Sequence, residues 1–115
     1  MTKYYEIVYY SDKVQQEIRA FPPTLEARYI HYADLMHEMG ANLGEPHTKA
    51  LGDGLFELRL KGQEGAARVF FCTQSGGKIV MLHSFMKKTQ KTPRREKATA
   101  MSRLQEVKDG KTTIT

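Results

Sequence analysis

The chain has 115 residues, 40% of them hydrophobic and 27% charged, which fits one soluble globular domain spanning residues 1–115 around one core. No apolar run nears the roughly 20 residues that cross a membrane, and the opening MTKYYEIVYY has no apolar signal core, so no membrane partner is expected. The single cysteine, Cys72, excludes an internal disulfide, and the expected compartment is the cytoplasm.

Lys3 to Tyr10 is rich in Tyr, Ile and Val and predicts a strand. Tyr5, Ile7 and Tyr9 share one face, and Tyr4, Glu6, Val8 and Tyr10 the other. Apolar bulk on both faces suggests a strand inside the sheet rather than at its edge. Ser11 or Asp12 can cap a short helix carrying Val14, Ile18 and Phe21, which Pro22-Pro23 ends. Thr24 is a reasonable cap for a longer helix, with Pro23 an alternative first-turn residue. Leu25, Tyr29, Tyr32, Met36 and Met39 form one helical stripe, widened by Ile30, Ala33 and Leu35, and Gly40 is a good stop. His31 and His37 lie six apart on this helix, the wrong spacing for two ligands of one metal, and read as structural or solvated.

Ala41 to Gly54 is rich in turn residues and reads as a loop. Leu55 to Lys61 alternates, with Phe56, Leu58 and Leu60 on a covered face and Glu57, Arg59 and Lys61 on a polar one. A turn at Gly62 to Gly65 leads to a strand with Ala67, Val69, Phe71 and Thr73 on one face and Arg68, Phe70 and Cys72 on the other. A second turn, Gln74 to Gly77, leads to the last strand, Ile79 to Phe85, with His83 and Phe85 on one face. Thr92-Pro93 looks like the N-cap and first turn of a final helix, whose stripe Ala98, Met101, Leu104 and Val107 runs to Gly110. The tail KTTIT reads as frayed.

The predicted fold class is therefore α+β, in the order β-α-α-β-β-β-α. A helical hairpin packs on one face of a small, largely antiparallel sheet and leaves the other face open. Alternation allows Arg59 and Arg68, on adjacent strands, to share that open face.

Charge is unevenly spread. Residues 1–47 carry four basic and seven acidic side chains, while residues 48–115 carry fourteen and six. From Ser84 to Lys97 six cations (Lys87, Lys88, Lys91, Arg94, Arg95, Lys97) face one acid, Glu96. Such asymmetry suggests a polyanion on one face, nucleic acid first among candidates; its plain alternative is solubility charge. Several chemistries lack their parts. No Gly-rich loop carries a P-loop lysine, the scattered histidines and one cysteine make no metal motif, and Cys72 lies inside a strand as a buried thiol would. No cofactor is implied.

The remaining collection is Lys49, Arg59, Lys61, Arg68, Lys87, Lys88 and Lys91 with His83. RNA needs little more, because its own 2′-OH can attack the adjacent phosphorus. Lys or His can take and give the protons, and Arg can hold the phosphate. Plain binding of RNA or of an acidic protein partner fits the same residues. For Arg68 the structural alternative is an ion pair with Glu57, and for His83 a packed histidine. For Lys87, Lys88 and Lys91 it is a solvated face or a partner contact.

The element order, the run Leu51-Gly52-Asp53-Gly54-Leu55-Phe56-Glu57-Leu58-Arg59, then Ala67-Arg68-Val69-Phe70-Phe71, and Leu82-His83-Ser84-Phe85-Met86-Lys87-Lys88-Thr89-Gln90-Lys91-Thr92-Pro93 together resemble the RelE/HigB toxin superfamily, nearest its phage-derived, HigB-like branch. The resemblance spans nearly the whole chain. It implies the RelE-like fold and a toxin of a toxin–antitoxin module. Such a toxin cleaves mRNA without metal, typically in the ribosomal A site, and is held inactive by a helix-turn-helix antitoxin of HigA type. Carried over, it implies a phosphate-binding role for Arg68 and a second basic position at Arg59. Lys49 and the pair Lys87 and Lys88 stand where relatives have basic residues, and His83 matches the branch's L-H-x-F motif. The expected catalytic set is thus Arg68, His83, Lys87, Lys88 and Lys49, with Arg59, Lys61, Phe85, Lys91 and Arg94 binding RNA. Many relatives stack a base on a tyrosine near the C-terminus. Residues 86–115 hold no aromatic here, so stacking falls to Phe85, a tyrosine elsewhere or an Arg plane.

Overall fold

A computed structural model describes residues 4–88 and 91–110. The expected frayed tail, residues 111–115, and Lys3 of the expected first strand lie outside the described residues. The elements are β1 (Glu6–Tyr9), α1 (Asp12–Arg19), α2 (Pro23–Met39), β2 (Thr48–Gly52), β3 (Leu55–Gly62), β4 (Gly65–Gln74), β5 (Lys78–Lys87) and α3 (Arg94–Lys108). They make an α+β arrangement of three helices and one five-stranded mixed sheet in the order β1-β5-β4-β3-β2. Pairing is antiparallel from β2 through β5, and β1 runs parallel to β5.

Three expectations change. First, the loop read over Ala41 to Gly54 contains β2, which pairs Thr48 with Leu58 and Lys49 with Glu57. Its short, turn-flanked sequence TKALG carries no alternating pattern, so its pairing comes from β3 beside it. Second, β1 stands at the sheet's edge, not inside it. Its two apolar faces reflect helices on both sides: Tyr5, Ile7 and Tyr9 pack with the first core, and Val8 with the second. Third, the sheet face opposite α1 and α2 is not open, because α3 packs on it.

The two cores follow from alternation. Val14 and Ile18 of α1 and Leu25, Tyr29 and Met36 of α2 cover Leu58, Leu60, Ala67, Val69, Phe71, Ile79 and Met81. Across the sheet, Ala100, Leu104 and Val107 of α3 cover Val8, Leu55, Phe70, Cys72, Val80 and Leu82. The expected stripes are trimmed at their margins. Met39 is 71% exposed and Ile30 52%, and Ala98 faces solvent while Ala100 is buried.

The caps are local. The Ser11 side chain accepts from the Val14 N–H at 3.2 Å. Pro22 and Pro93 stand at the N-caps of α2 and α3 without side-chain caps. Thr92, expected to cap α3, instead donates to Glu57 Oε2 at 3.4 Å. Gly62 ends β3 against the first turn of α2, where a Cβ would come within 2.8 Å of Thr24 Cγ2, so only glycine lets the hairpin lie that close. His31 and His37 are exposed, and the His37 ring stacks on Tyr4 at 5.1 Å.

One irregularity decides which face carries His83 and Phe85. β5 shifts register against β4 between Phe70 and Phe71, so that Phe70 faces His83 while Phe71 faces Met81. Leu82 is the extra residue of a β-bulge. Strict alternation would place His83 and Phe85 with Ile79 and Met81, under α1 and α2. The bulge moves both to the α3 face.

Candidate functional site

Register places the chemistry-bearing side chains in rows across the α3 face. Lys61, Ala66 and Lys87 form the row nearest the β3–β4 turn. Arg59, Arg68 and Phe85 form the next. Lys49, Glu57, Phe70 and His83 form the third. Beyond it lies the apolar surface under α3, with Cys72, Val80 and Leu82. Burial raises the Cys72 thiol to about 11, with Lys108 opposing the shift, which suits an inert core cysteine. The helix thus covers one end of the face and leaves the basic rows at the other.

Arg59 and Arg68 stand directly opposite one another, an unfavourable pairing of like charges. Glu57 offsets it. The residue is 4% exposed, and its Oε1 accepts from Arg59 Nε at 3.0 Å and lies 3.4 Å from Arg68 Nε. The ion-pair alternative for Arg68 is therefore present. Arg68 is itself 7% exposed, and its Nη1 donates to the Ala67 carbonyl at 3.1 Å. Its Nε is buried with no hydrogen bond, since the contact to Glu57 is Coulombic rather than aligned. Burial lowers the Arg68 guanidinium's pKa, with Glu57 opposing and Arg59 adding to the shift. Lys87 lies below the ordinary lysine value of 10.5. Burial is the main cause and Arg68 the next; Arg59 and Lys61 push the same way, and Glu57 opposes them.

His83 is engaged at both ring nitrogens. Nε2 meets Glu96 Oε1 at 2.7 Å, and Nδ1 faces Arg103 Nη1 at 3.5 Å. Arginine has only donors, so Nδ1 accepts and Nε2–H donates to the carboxylate. Arg103 also donates to the Leu82 carbonyl at 2.8 Å, which ties α3 to the bulge. The His83 ring lies parallel to Phe70, 6.4 Å between centroids, and 6.2 Å from Phe85. Phe85 is in turn 5.7 Å from Phe70, so the three rings pack as one group.

Beside the arginine row a cleft of about 390 Å³ opens between α2 and the sheet, beyond the point where β2 begins. It is lined by Arg28 and Tyr32 of α2, by Pro46 and His47 before β2, and by Arg59, Lys61 and Arg68. The Arg59 N–H donates to the His47 carbonyl at 2.9 Å, fixing that approach to β3. No carboxylate lines the cleft; Glu45 stands at its rim, 3.9 Å from Arg59 Nη1.

Of the expected site residues, the fold brings Arg59, Lys61, Arg68, Phe85 and Lys87 together. It sets Lys49 on the same face at the outer edge, and holds His83 on the row that runs under α3. Lys88 is exposed just past β5, Lys91 is exposed in the segment before α3, and Arg94 is exposed at the helix's first residue. None of these three lines the cleft. Arg28, Tyr32 and His47 were not expected at the site. Tyr32 fits the core stripe by spacing, and nothing in sequence places α2 against the β3 edge. Glu57, expected on a polar exposed face, is the buried hub. Among the described residues no three His, Cys, Asp or Glu side chains converge as a metal site would require, and no helix is long and apolar enough to cross a membrane.

Residues 16–105 match the family model described as phage derived protein Gp49-like (DUF891). No curated protein matches the chain.

Proposed function

The chain belongs to the Gp49-like family of phage-derived proteins, part of the RelE/HigB-like toxin family of toxin–antitoxin modules, and from that membership we propose that it is a toxin that cleaves mRNA on the ribosome. The observation that carries the reading is the convergence of Arg59, Arg68, Lys61 and Lys87 on neighbouring rows of the sheet face that carries α3, outside the core the helix closes. In this proposal the scissile phosphate sits on the Arg59–Arg68 row, where two guanidinium groups offer paired donors to its oxygens. Lys87, one row away, takes the proton of the RNA 2′-OH. Its lowered pKa makes the neutral amine more accessible than on an ordinary lysine. The 2′-oxygen bonds to phosphorus, the bond from phosphorus to the 5′-oxygen breaks, and a protonated side chain returns a proton to that oxygen. The products are a 2′,3′-cyclic phosphate and a 5′-hydroxyl. Lys49 and Lys88 flank the rows as the candidate acids. His83, with both nitrogens engaged, acts as a positioning residue that holds Phe85 and the bulge, while Lys91 and Arg94 bind the RNA beyond the cut. The partner proposed to silence the toxin is a helix-turn-helix antitoxin, as in the HigB-like branch, and the place of action is the cytoplasm.

Primer extension on mRNA from cells expressing the chain tests this. New 5′ ends within codons are expected, and Arg68→Ala should remove both those ends and growth inhibition while the protein still folds. Full toxicity of Arg68→Ala would sink the assignment. One observation favours a second reading, a non-catalytic module that grips RNA or an acidic protein: Glu57 already engages both arginines. Intact transcripts together with salt-sensitive RNA binding would select it.

A further inference from the structure

We propose that the cleft between α2 and the β3 edge is a nucleotide subsite, with Tyr32 and His47 stacking on an RNA base and the surrounding cations holding its phosphate. The ligand's class rests on the reading of the chain as an RNA-cleaving toxin. The cleft's form supports a nucleotide independently of that reading. Its volume of about 390 Å³ lies at the small-ligand end of the usual pocket range. Two rings meet in its wall, Tyr32 and His47, with centroids 4.8 Å apart and planes tilted by 40°. Tyr32 packs on the first core and also lines the cleft, so its ring is braced from behind. The His47 backbone is pinned to β3 through Arg59. A braced ring can stack on any base, because every base has a π face.

The charge pattern supplies the other half. Arg28 stands one helical turn before Tyr32 on α2, and Lys61 lies on the opposite wall. With Arg59 and Arg68 the lining holds four cations and no acid. Glu57 already offsets Arg59 and Arg68 from behind, so Arg28 and Lys61 are the lining cations that an incoming phosphate would pair with. Arg68 belongs both to the cleft and to the row proposed for the scissile phosphate. It is 7% exposed, and its Nε lacks a hydrogen bond. The cleft therefore adjoins the row proposed for the scissile phosphate. The cleft supplies the base platform that residues 86–115, with no aromatic, do not.

The test is direct binding of adenosine 5′-monophosphate, uridine 5′-monophosphate and ribose 5-phosphate to the purified chain, followed by calorimetry. Stacking should make the two nucleotides bind roughly five- to hundredfold more tightly than the sugar phosphate. Tyr32→Leu, which keeps apolar bulk, should abolish that gap, and Tyr32→Phe should keep it. His47→Ala, on an irregular segment, should narrow it and serves if Tyr32→Leu fails to fold. Equal binding of all three ligands would overturn the subsite, as would a gap unchanged in Tyr32→Leu and His47→Ala, or displacement of the nucleotides by an oligoglutamate peptide at lower concentration. Base-dependent binding without new 5′ ends in cells would uphold the subsite and sink the nuclease reading. New 5′ ends without base-dependent binding would do the reverse.

Discussion

Glu57 is the residue on which the basic rows depend. Two guanidinium groups placed opposite each other repel, and its buried carboxylate lies between them. Glu57→Ala leaves Arg59 and the buried Arg68 unpaired. It should cost about 3 kcal/mol, at the low end of what breaking a buried pair costs because Arg59 is partly solvated; urea unfolding at neutral pH measures it. Lys87 makes a kinetic prediction. If its neutral amine is the base, single-turnover cleavage should rise with pH and level off below the ordinary lysine value of 10.5. Lys87→Ala should lose roughly a hundredfold or more and the pH-dependent limb with it. A retained limb in that variant would assign the base elsewhere. At this scale the arginine pair was legible in sequence, because alternation in two adjacent strands constrains which side chains share a face. Glu57 was legible only as an alternative partner for Arg68. Its burial depends on β2 lying alongside and on Thr92 reaching across from the segment before α3, neither of which alternation reveals.

Among the elements, α3 does two jobs. Leu104, Val107 and Ala100 close the second core, and Glu96 and Arg103 on the same helix hold His83. Leu104→Ala should cost about 3 kcal/mol, as buried leucine truncations do. Hydrogen exchange at His83 to Phe85 should speed up more than exchange at β3, because the helix that pins the bulge is loosened. β3 and β4 were readable from alternation, β5 from an apolar run after a glycine turn, and α1 and α2 from apolar stripes with proline between them. The bulge at Leu82 was not, since a run such as Val80-Met81-Leu82 is apolar at every position and carries no marker of a skipped step. The cost of missing it is specific. Without the bulge, His83, Phe85 and Lys87 face away from the arginines. The cleft was hidden for a related reason. Tyr32 serves the core and the cleft at once, and spacing reports only the first.

For the whole molecule, two buried acids set the alkaline limit. Cys72 titrates at about 11 when folded against 9.0 ordinarily, and burial also raises Tyr29 far above its usual 10.0. Between these values the unfolded chain loses protons that the folded one keeps. Stability should therefore fall as pH rises, by about 1.4 kcal/mol per pH unit for each group, from Cys72 above pH 9 and from Tyr29 above pH 10. Thermal melts across pH 8 to 11 check this, and Cys72→Ala should delay the decline until Tyr29 takes effect. The edge strand β1 carries a further consequence, for the order in which the protein can assemble. β1 pairs only with β5, Glu6 opposite Lys78. During synthesis its strand partner β5 leaves the ribosome late, after the α1 and α2 residues that pack on the Ile7 and Tyr9 face of β1. The basic rows wait with it, because Phe85 and Lys87 are themselves on β5. A nascent chain thus carries its first strand without a strand partner early and its basic rows late, so the candidate site is complete only near the end of synthesis.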